Sequence, residues 1–244
     1  MVQDKPTDAI YAQPLDKIDA FVFDDKVANV FEDMINRSVP GYRTVVALTG
    51  ILAEHFYQPN SRGYDLGCSL GATTLAMAQR LPAAGKIIGV DNSQAMIERC
   101  QKNIRQFKPS QDIELQCQDI QDIDIHHASV VTLNYTLQFI ASEKRLALLQ
   151  KIHHGMLPGG ALLLSEKITL DNDEDDDLFT ELHHNYKRAN GYSELEISQK
   201  RSALENVLIR DSLQTHQTRL RSAGFSRVQI WFQCFNFVSL LAIK

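Results

Sequence analysis

Scarce cysteine and the lack of any long apolar run already exclude several classes of protein. The four cysteines are far apart and share no metal-ligand spacing: Cys68, Cys100, Cys117 and Cys234. Without that spacing, and with no signal-peptide pattern at the start, they favour a reducing cytoplasm over a disulfide framework or a zinc site. No apolar run approaches the roughly 20 residues that cross a bilayer, so we expect no membrane partner.

Excess positive charge is also absent. Lys and Arg together number 25 against 30 Asp and Glu, which gives a formal net charge of −5. A surface without a broad basic region does not favour tight, direct binding of nucleic acid. The content of 44% hydrophobic and 23% charged residues is that of an ordinary globular protein, and 244 residues suit one α/β domain with additions.

The most informative motif is YDLGCSLGATTLAMA, residues 64–78, which is followed by IIGVDNS, residues 87–93. The pair predicts a strand, a glycine-rich turn, a helix and a second strand that ends in an acid. This arrangement holds a nucleotide-like ligand at the carboxyl end of a parallel sheet. Gly67 and Gly71 let the backbone approach a ligand where a Cβ would collide. Asp91 ends the second strand, where a carboxylate accepts hydrogen bonds from ribose hydroxyls.

The spacing of the glycines argues against a dinucleotide. The turn reads GCSLG, residues 67–71, so Ser69 replaces the central glycine of the G-x-G-x-x-G fingerprint. Asp65, just before the turn, would repel a pyrophosphate but suits an ammonium or a bound water. The pattern Asp-Leu-Gly-x-Ser-x-Gly resembles the first motif of the Rossmann-like S-adenosylmethionine (SAM) methyltransferases. An ordinary strand-turn-helix without a ligand is the simpler alternative.

Alternating strand and helix patterns continue to about residue 167, and two further strand patterns close the chain. We therefore predict an α/β fold of the Rossmann-like class I methyltransferase type, with a mostly parallel sheet and an antiparallel C-terminal strand pair. Apolar residues at helical spacing predict a helical cap over the ligand edge within residues 1–60 and a helical insertion at residues 171–210. Because there is no repeat and no low-complexity linker, residues 1–244 are interpreted as a single domain.

Three local details complete that prediction. Residues 1–20 look polar and loosely structured, and Ser142 is placed as the N-cap of a helix. The acidic stretch DNDEDDD, residues 171–177, is interpreted as a solvated run. It lacks the glycine and glutamate spacing of a calcium loop, so no metal site is predicted.

Polar residues recur at the predicted strand ends, which line the ligand crevice of an open α/β sheet. Beyond the glycine-rich turn they are Asp91-Asn92, Asp119-Ile120 and Asn134. Asp119 suits the exocyclic amine of adenine, beside the apolar wall of Ile120, and Asn134 suits the amino-acid end of the ligand. Asp119 alone would be interpreted as a helix cap or loop acid. In series with Asp91 it favours ligand contact.

The insertion carries the dense polar sequence HHNYKRANGYSELEISQKRSALEN, residues 183–206. Its simplest interpretation is a solvated pair of helices. Arg201 differs, because it lies two helical turns after the capping box that opens at Ser193, in a segment placed to close over the crevice. A guanidinium is a bidentate partner for a carboxylate, so Arg201 is a candidate ligand contact.

Seven stretches together resemble the carboxy-S-adenosylmethionine synthase family: RSVPGY, YDLGCSLGA, DNSxAMIERC, LNxTLQF, PGGALLLSEK, KRANGYSELEISQKRS and WFQCFNF. They cover the chain from about residue 23 to the end. That family binds SAM in a methyltransferase-like fold but converts SAM and prephenate into carboxy-SAM and phenylpyruvate. Its product passes to a tRNA carboxymethyltransferase, which forms 5-oxyacetyluridine at the wobble position.

The resemblance implies ten ligand residues, none of which departs from the family pattern: Tyr42, Gly67, Cys68, Ser69, Asp91, Asn92, Asp119, Ile120, Asn134 and Arg201. Arg201 would hold the new carboxylate, with Tyr42 as a second contact. No general base is assigned, because a leaving hydroxide or an intermediate of prephenate could take the methyl proton of the sulfonium. A closed, dry pocket is required, since CO₂ and an ylide would both be lost to water.

Two other functions remain open on the sequence: a SAM-dependent methyltransferase of a small molecule or tRNA, and a non-catalytic nucleoside-binding protein. SAM is expected as substrate and carboxy-SAM as product, without a metal. We also expect a homodimer, because the insertion carries more apolar positions than the sheet edge can cover. These are Leu178, Leu182, Leu195, Ile197, Leu204, Val207 and Leu208.

Overall fold

The structure, a computed structural model, describes residues 6–244. Its strands are β1 (Arg62–Leu66), β2 (Lys86–Asp91), β3 (Asp112–Cys117), β4 (Ala128–Asn134), β5 (Met156–Thr169), β6 (Asp211–Ser212), β7 (Arg227–Cys234) and β8 (Phe237–Ile243). Its helices are α1 (Asp25–Ser38), α2 (Tyr42–Phe56), α3 (Ala72–Ala78), α4 (Gln94–Phe107), α5 (Ser142–Gly155), α6 (Asp173–Ala189), α7 (Glu194–Leu204) and α8 (Leu213–Ser222), with a 3-10 turn at Leu137–Phe139. No helix in this part of the chain is long and apolar enough to cross a bilayer.

The strands form one sheet in the order β3-β2-β1-β4-β5-β8-β7. Neighbouring strands from β3 to β5 are parallel, whereas β8 is antiparallel to both β5 and β7. This confirms the predicted class I methyltransferase-like sheet with its antiparallel C-terminal pair. The strand order reverses between β1 and β4, so the ligand crevice opens at the carboxyl ends of these two strands.

Local sequence explains most of these elements. β4 reads ASVVTLN and is buried at every position but the last, as expected for a strand covered on both faces. Ser93 caps α4 by accepting a hydrogen bond from the backbone N–H of Met96. Ser193 forms the predicted capping box with Glu196 at the start of α7. The main hydrophobic cluster joins β1, β4, β5 and β8 to α5 and α8.

One local prediction is wrong: Ser142 is the first residue of α5, and Ala141 takes the cap position without a side-chain hydrogen bond. The acidic run 171–177 is mostly exposed, as expected, but it also begins a helix. Asn172 caps α6, and four acids occupy the first turn of that helix, where the helix dipole favours negative charge. The short strand β6 pairs with the end of β5 and has no signal in the sequence.

The segment before α1 packs against the insertion, which also differs from the expectation of a loose N-terminus; residues 1–5 lie outside the described part. The Gln199 side chain donates to the carbonyl oxygens of Tyr11 and Gln13 at 2.9 and 2.8 Å. The backbone N–H of Phe21 donates to the carbonyl oxygen of Ala203 at 3.0 Å. Cap and insertion therefore hold each other in place over the ligand edge of the sheet.

Candidate functional site

A cavity of about 640 Å³ lies at the carboxyl ends of β1 and β4, enclosed by the cap and the insertion. Nine of the ten predicted site residues line it: Tyr42, Gly67, Cys68, Ser69, Asp91, Asn92, Asp119, Ile120 and Asn134. Its wall combines aromatic side chains with a small number of polar groups, and its volume is that of a small-molecule site. The structure thus brings together residues that are up to 92 positions apart in the sequence.

Packing within the protein shapes the glycine-rich turn. Gly67 and Gly71 have φ angles of 82° and 84°, in the left-handed region. A Cβ on Gly67 would lie 2.2 Å from Thr136 Oγ1, and a Cβ on Gly71 would lie 2.6 Å from Cys100 Sγ. At both glycines an added Cβ would therefore collide with a neighbouring side chain of the protein. The close packing lets the backbone of the turn face the cavity.

Asp91, at the end of β2, joins the turn to the next helix. Its Oδ2 accepts a hydrogen bond from the backbone N–H of Ser69 at 2.9 Å, and its Oδ1 accepts one from that of Ser93 at 2.9 Å. Burial raises the pKa of the Asp91 carboxyl, and the two N–H donors oppose that rise. A carboxylate has about four lone-pair sites, so Asp91 retains acceptor capacity for two ribose hydroxyls.

We expect Asp91→Ala to weaken SAM binding by roughly 1.5–3 kcal/mol for each charged hydrogen bond that is lost. The change also removes an acceptor for Ser69, so the turn loses part of its support. Calorimetric titration with SAM measures the loss, and circular dichroism reports whether the fold is kept. Asp122→Ala, at an exposed acid three residues beyond Asp119, is the control. Unchanged affinity in Asp91→Ala would contradict the ribose assignment.

Asp119 follows β3, and a neighbouring residue holds its carboxylate. Its Oδ1 accepts from the backbone N–H of Gln121 at 2.8 Å, and the Gln121 side-chain amide lies 3.2 Å from both oxygens. This is the loop-acid geometry that the sequence left open as the alternative. Asp119 nevertheless lines the cavity beside the buried Ile120, and its oxygens retain lone pairs for an adenine amine.

Asn134 ends β4 with its amide already oriented. Its Nδ2 donates to Thr73 Oγ1 at 3.1 Å, and its Oδ1 accepts from Ser165 Oγ at 2.9 Å. The amide is half-buried and lines the cavity, so each of its polar atoms has one further hydrogen-bonding position for a ligand.

Asp65 does not line the cavity, although the sequence places it at the same strand ends. Its buried carboxylate accepts hydrogen bonds from Thr74 Oγ1 at 2.6 Å and Thr132 Oγ1 at 2.8 Å. Burial raises its pKa to about 6, and the threonine hydrogen bonds limit the rise. Asp65 therefore ties β1 to β4 and α3, and it does not face an ammonium or a ligand.

Two tyrosines lie side by side in the cavity wall. Tyr42 begins α2, Tyr135 follows Asn134, and their ring centroids are 6.3 Å apart. Burial raises the pKa of both phenols, so both stay protonated and act as hydrogen-bond donors. Within residues 6–244 the buried Tyr135 hydroxyl has no hydrogen-bond partner. Sequence reasoning missed Tyr135, although its place directly after a polar strand end was a signal.

Sequence reasoning also missed four lysines in the cavity wall. Lys144, on α5, is exposed, and the other three, Lys167, Lys187 and Lys200, are what we call the lysine cluster. Lys167 comes from β5, Lys187 from α6 and Lys200 from α7. Burial lowers the pKa of Lys167 and Lys200 to about 8 and that of Lys187 to about 7. In the sequence the last two belong to the polar stretch 183–206, which we interpreted as solvated helix faces.

We expect the lysine cluster to make the ligand-free protein more stable as the pH rises from about 7 to about 10. The folded pKa of Lys187 is about 7, below its unfolded value. In this window the unfolded chain binds the extra proton, so the free energy of unfolding increases with pH. Lys187→Met should reduce that slope by roughly 1.4 kcal/mol per pH unit.

Urea unfolding at several pH values checks this expectation. Lys102→Met, at an exposed lysine of α4, is the matched control and should keep the wild-type slope. Identical slopes for Lys187→Met and wild type would show that Lys187 titrates normally in the folded protein.

Arg201 is the predicted site residue that does not line the cavity. It lies in the last turn of α7 and is exposed, whereas Lys200 beside it is buried and faces the cavity. Burial is the main cause that lowers the pKa of Lys167, and the positive charge of Arg201 is a smaller one. The assignment of Arg201 to a carboxylate stays a prediction.

The sheet order, the glycine-rich turn and the acid after β2 define a SAM-dependent methyltransferase fold. A family model described as a methyltransferase domain matches residues 64–160. Human N-acetylserotonin methyltransferase in complex with SAM is similar with a TM-score of 0.58 and 20% identity, over 90% of this chain and 55% of that chain. A SAM-dependent methyltransferase structure from Methanococcus maripaludis gives 0.61 and 19%, over 95% and 97%. At these identities the likeness shows the fold alone.

Within that class, the chain belongs to the carboxy-S-adenosyl-L-methionine synthase family of enzymes. A protein of that name from Vibrio cholerae is 54% identical over 240 residues, which cover 98% of each chain. Another from Yersinia enterocolitica is 53% identical over 238 residues, which cover 97% of this chain and 90% of that one. The resemblance drawn from the sequence motifs is confirmed, and so is the interpretation as an enzyme that uses SAM.

Proposed function

We propose that this enzyme converts SAM and prephenate into carboxy-SAM, phenylpyruvate and water. The observation that carries the proposal is the identity of 54% along nearly the whole chain to an enzyme named carboxy-S-adenosyl-L-methionine synthase. The cavity supports it, because the polar strand ends and the glycine-rich turn fit SAM while space and polar groups remain for a second substrate.

The reaction balances as follows. Prephenate loses its ring carboxylate as CO₂ and its hydroxyl as hydroxide, and the ring becomes the phenyl group of phenylpyruvate. The hydroxide takes one proton from the S-methyl group of SAM and leaves as water. The methylene carbon then forms a carbon–carbon bond to CO₂, which gives the carboxymethyl sulfonium. Aromatisation of the ring drives the sequence.

The chain's own residues contribute binding, orientation and exclusion of water. In this proposal Asp91 and Asp119 bind the ribose and the adenine amine, and Asn134 binds the amino-acid end of SAM. All three side chains line the cavity, which supports these roles. The cap and the insertion keep CO₂ and the carbon nucleophile in one enclosure until they combine. Tyr42 offers a phenol donor to the new carboxylate, and no side chain is assigned as general base.

Isotope transfer tests the proposal directly. The enzyme is incubated with SAM that carries a CD₃ group on sulfur and with prephenate labelled with ¹³C in the ring carboxylate. We expect carboxy-SAM that retains two deuterium atoms and contains the ¹³C, together with unlabelled phenylpyruvate. Product that lacks the ¹³C would overturn the proposal. S-adenosylhomocysteine together with a CD₃-labelled acceptor would instead assign an ordinary methyltransferase, and SAM binding without turnover would assign a nucleoside-binding protein.

We also propose that carboxy-SAM is passed to a separate tRNA carboxymethyltransferase that forms 5-oxyacetyluridine at the wobble position, in the cytoplasm. The sulfonium activates its carboxymethyl group for transfer as it activates a methyl group. The net charge of −5 supports a division of labour in which another protein holds the RNA.

We propose and predict a homodimer. Of the apolar positions in the insertion, Ile197 is buried in its own chain, whereas Leu178 and Leu195 are exposed. Light scattering at micromolar concentration should give twice the mass of one chain. The double change Leu178→Asp and Leu195→Asp should halve that mass, and Ile51→Asp, at an exposed apolar residue of α2, should not. A wild-type monomer would contradict the prediction.

A further inference from the structure

The lysine cluster brings three ammonium groups into one cavity wall. The residues Lys187 and Lys200 are only 8% and 6% exposed. Lysines are rarely this buried unless an acid pairs with them, because removal of an ammonium group from water is costly. The positions of the acids around the cluster therefore show whether the protein itself neutralises the three positive charges.

No acid of the described part of the chain is in contact with Lys187. Within residues 6–244 its ammonium group forms neither a hydrogen bond nor an ion pair, although the side chain lines the cavity. Burial lowers the pKa of Lys187 most, and the positive charges of Lys167 and Lys200 lower it further. A buried ammonium that faces a cavity and is surrounded by other cations is placed for an anionic ligand.

Lys167 is oriented by a neutral partner. His183 Nε2 lies 2.7 Å from the carbonyl oxygen of Ser38, so this nitrogen carries the hydrogen and donates. His183 Nδ1 is then an acceptor, 3.2 Å from Lys167 Nζ. Burial lowers the pKa of His183 to about 2, so the imidazole is uncharged. The nearby Asp176 is committed to Arg210 through two hydrogen bonds of 3.0 Å.

Lys200 is the member of the cluster with a carboxylate of its own. Its Nζ lies 3.6 Å from Asp8 Oδ2 and 3.2 Å from Ser38 Oγ. Asp8 also accepts a hydrogen bond from the Tyr192 hydroxyl, so it is fixed in place. Within residues 6–244, Lys200 therefore has an acid in direct contact, whereas Lys167 and Lys187 have none.

The two acids of the cavity and the lysine cluster stand on different sides of the sheet centre. Asp91 ends β2 and Asp119 follows β3, whereas Lys167 lies on β5, and β1 and β4 lie between them. The acidic side suits the hydroxyls and amine of a nucleoside. The cationic side suits a negatively charged molecule, and the unpartnered Tyr135 hydroxyl, directly after β4, supplies a neutral donor between them.

We propose that the lysine cluster, with the Tyr135 hydroxyl, binds the carboxylates of a dianionic second substrate and selects for it. The inference rests on the proposed function, in which prephenate carries two carboxylates. Two carboxylates balance the two ammonium groups that the protein leaves without an acid. Ammonium–carboxylate hydrogen bonds in a dry cavity hold the substrate beside the SAM contacts.

Binding of prephenate to protein loaded with S-adenosylhomocysteine, which lacks the reacting methyl group, tests this proposal without turnover. Calorimetric titrations compare wild type, Lys187→Met and the exposed control Lys102→Met. Methionine keeps the length of the side chain and removes its charge. We expect Lys187→Met to lose roughly 100-fold in prephenate affinity and to bind SAM within about threefold of wild type. It should also unfold at a higher temperature near neutral pH, because it no longer buries a charge. Lys187→Arg should regain part of the affinity.

Each outcome bears on the cluster separately from the reaction. If wild type and Lys187→Met bind prephenate equally, or if wild type does not bind it, the proposal is overturned. A loss of SAM affinity that equals the loss of prephenate affinity also overturns it, because Lys187 would then support the whole cavity. If the isotope experiment fails while prephenate still binds in a Lys187-dependent way, the proposed reaction is wrong and the anion site stands.

Discussion

Gly67→Ala should lower the affinity for SAM roughly 100-fold, while the matched change Gly159→Ala leaves it within about threefold. Both glycines have left-handed φ angles, 82° and 75°, so both substitutions carry a similar backbone strain of about 1 kcal/mol. A collision occurs only at Gly67, where the new Cβ would lie 2.2 Å from Thr136 Oγ1; at Gly159 the nearest atom, Gln58 Nε2, is 3.8 Å away. The displaced turn then costs roughly 1–3 kcal/mol more.

Calorimetry with SAM and urea unfolding measure the two parts of this effect. Both variants should lose the backbone contribution to stability, and only Gly67→Ala should also lose the ligand. Addition of Thr136→Ala to Gly67→Ala should restore part of the affinity, because it removes the two atoms nearest to the new Cβ, Oγ1 and Cγ2. Equal SAM affinities for the two single variants would show that the shape of the turn does not matter to the ligand.

The fold was predictable because its signals are local. The strands β2 and β4 are short, largely apolar runs that end at Asp91 and Asn134. Ser93 and Ser193 mark helix starts by cap chemistry that acts over three residues. Ser142 failed as a cap because a serine in the first turn and one before it look alike in a sequence. The acidic residues of 171–177 are mostly exposed, as predicted, but their place at a helix start, where the helix dipole stabilises negative charge, was not predicted.

The nucleoside side of the site was predictable and the cationic side was not, for a physical reason. Asp91 and Asn134 stand at strand ends, and topology places strand ends at the crevice. Lys187 and His183 stand in a polar helical stretch, where a charged residue normally faces water. Only the docking of the insertion against the cap buries them, and that docking depends on contacts such as Gln199 with Tyr11, 188 positions apart, which no local pattern encodes.

Arg201 shows the limit of carrying a role across from a resemblance. The family pattern assigns it to the new carboxylate, yet in the ligand-free chain it is exposed while Lys200 beside it lines the cavity. An exposed ion pair contributes only about 0–1 kcal/mol, whereas an ion pair shielded from water can contribute several times more. The size of the effect of Arg201 on binding therefore reports where its guanidinium lies when the ligand is present.

Arg201→Ala should weaken the binding of carboxy-SAM by roughly 2–5 kcal/mol more than the binding of SAM. The added group carries a negative charge that SAM lacks, and a guanidinium meets a carboxylate with two parallel hydrogen bonds. Calorimetry with both ligands measures the difference, and Arg105→Ala, at an exposed arginine of α4, is the control. Arg201→Lys should restore only part of the affinity lost in Arg201→Ala, since lysine keeps the charge but not the planar pair of donors.

A selective loss above about 2 kcal/mol means that the ligand draws Arg201 out of water. Equal losses for the two ligands would contradict its assignment to the carboxylate, because a residue that only supports the fold cannot distinguish them.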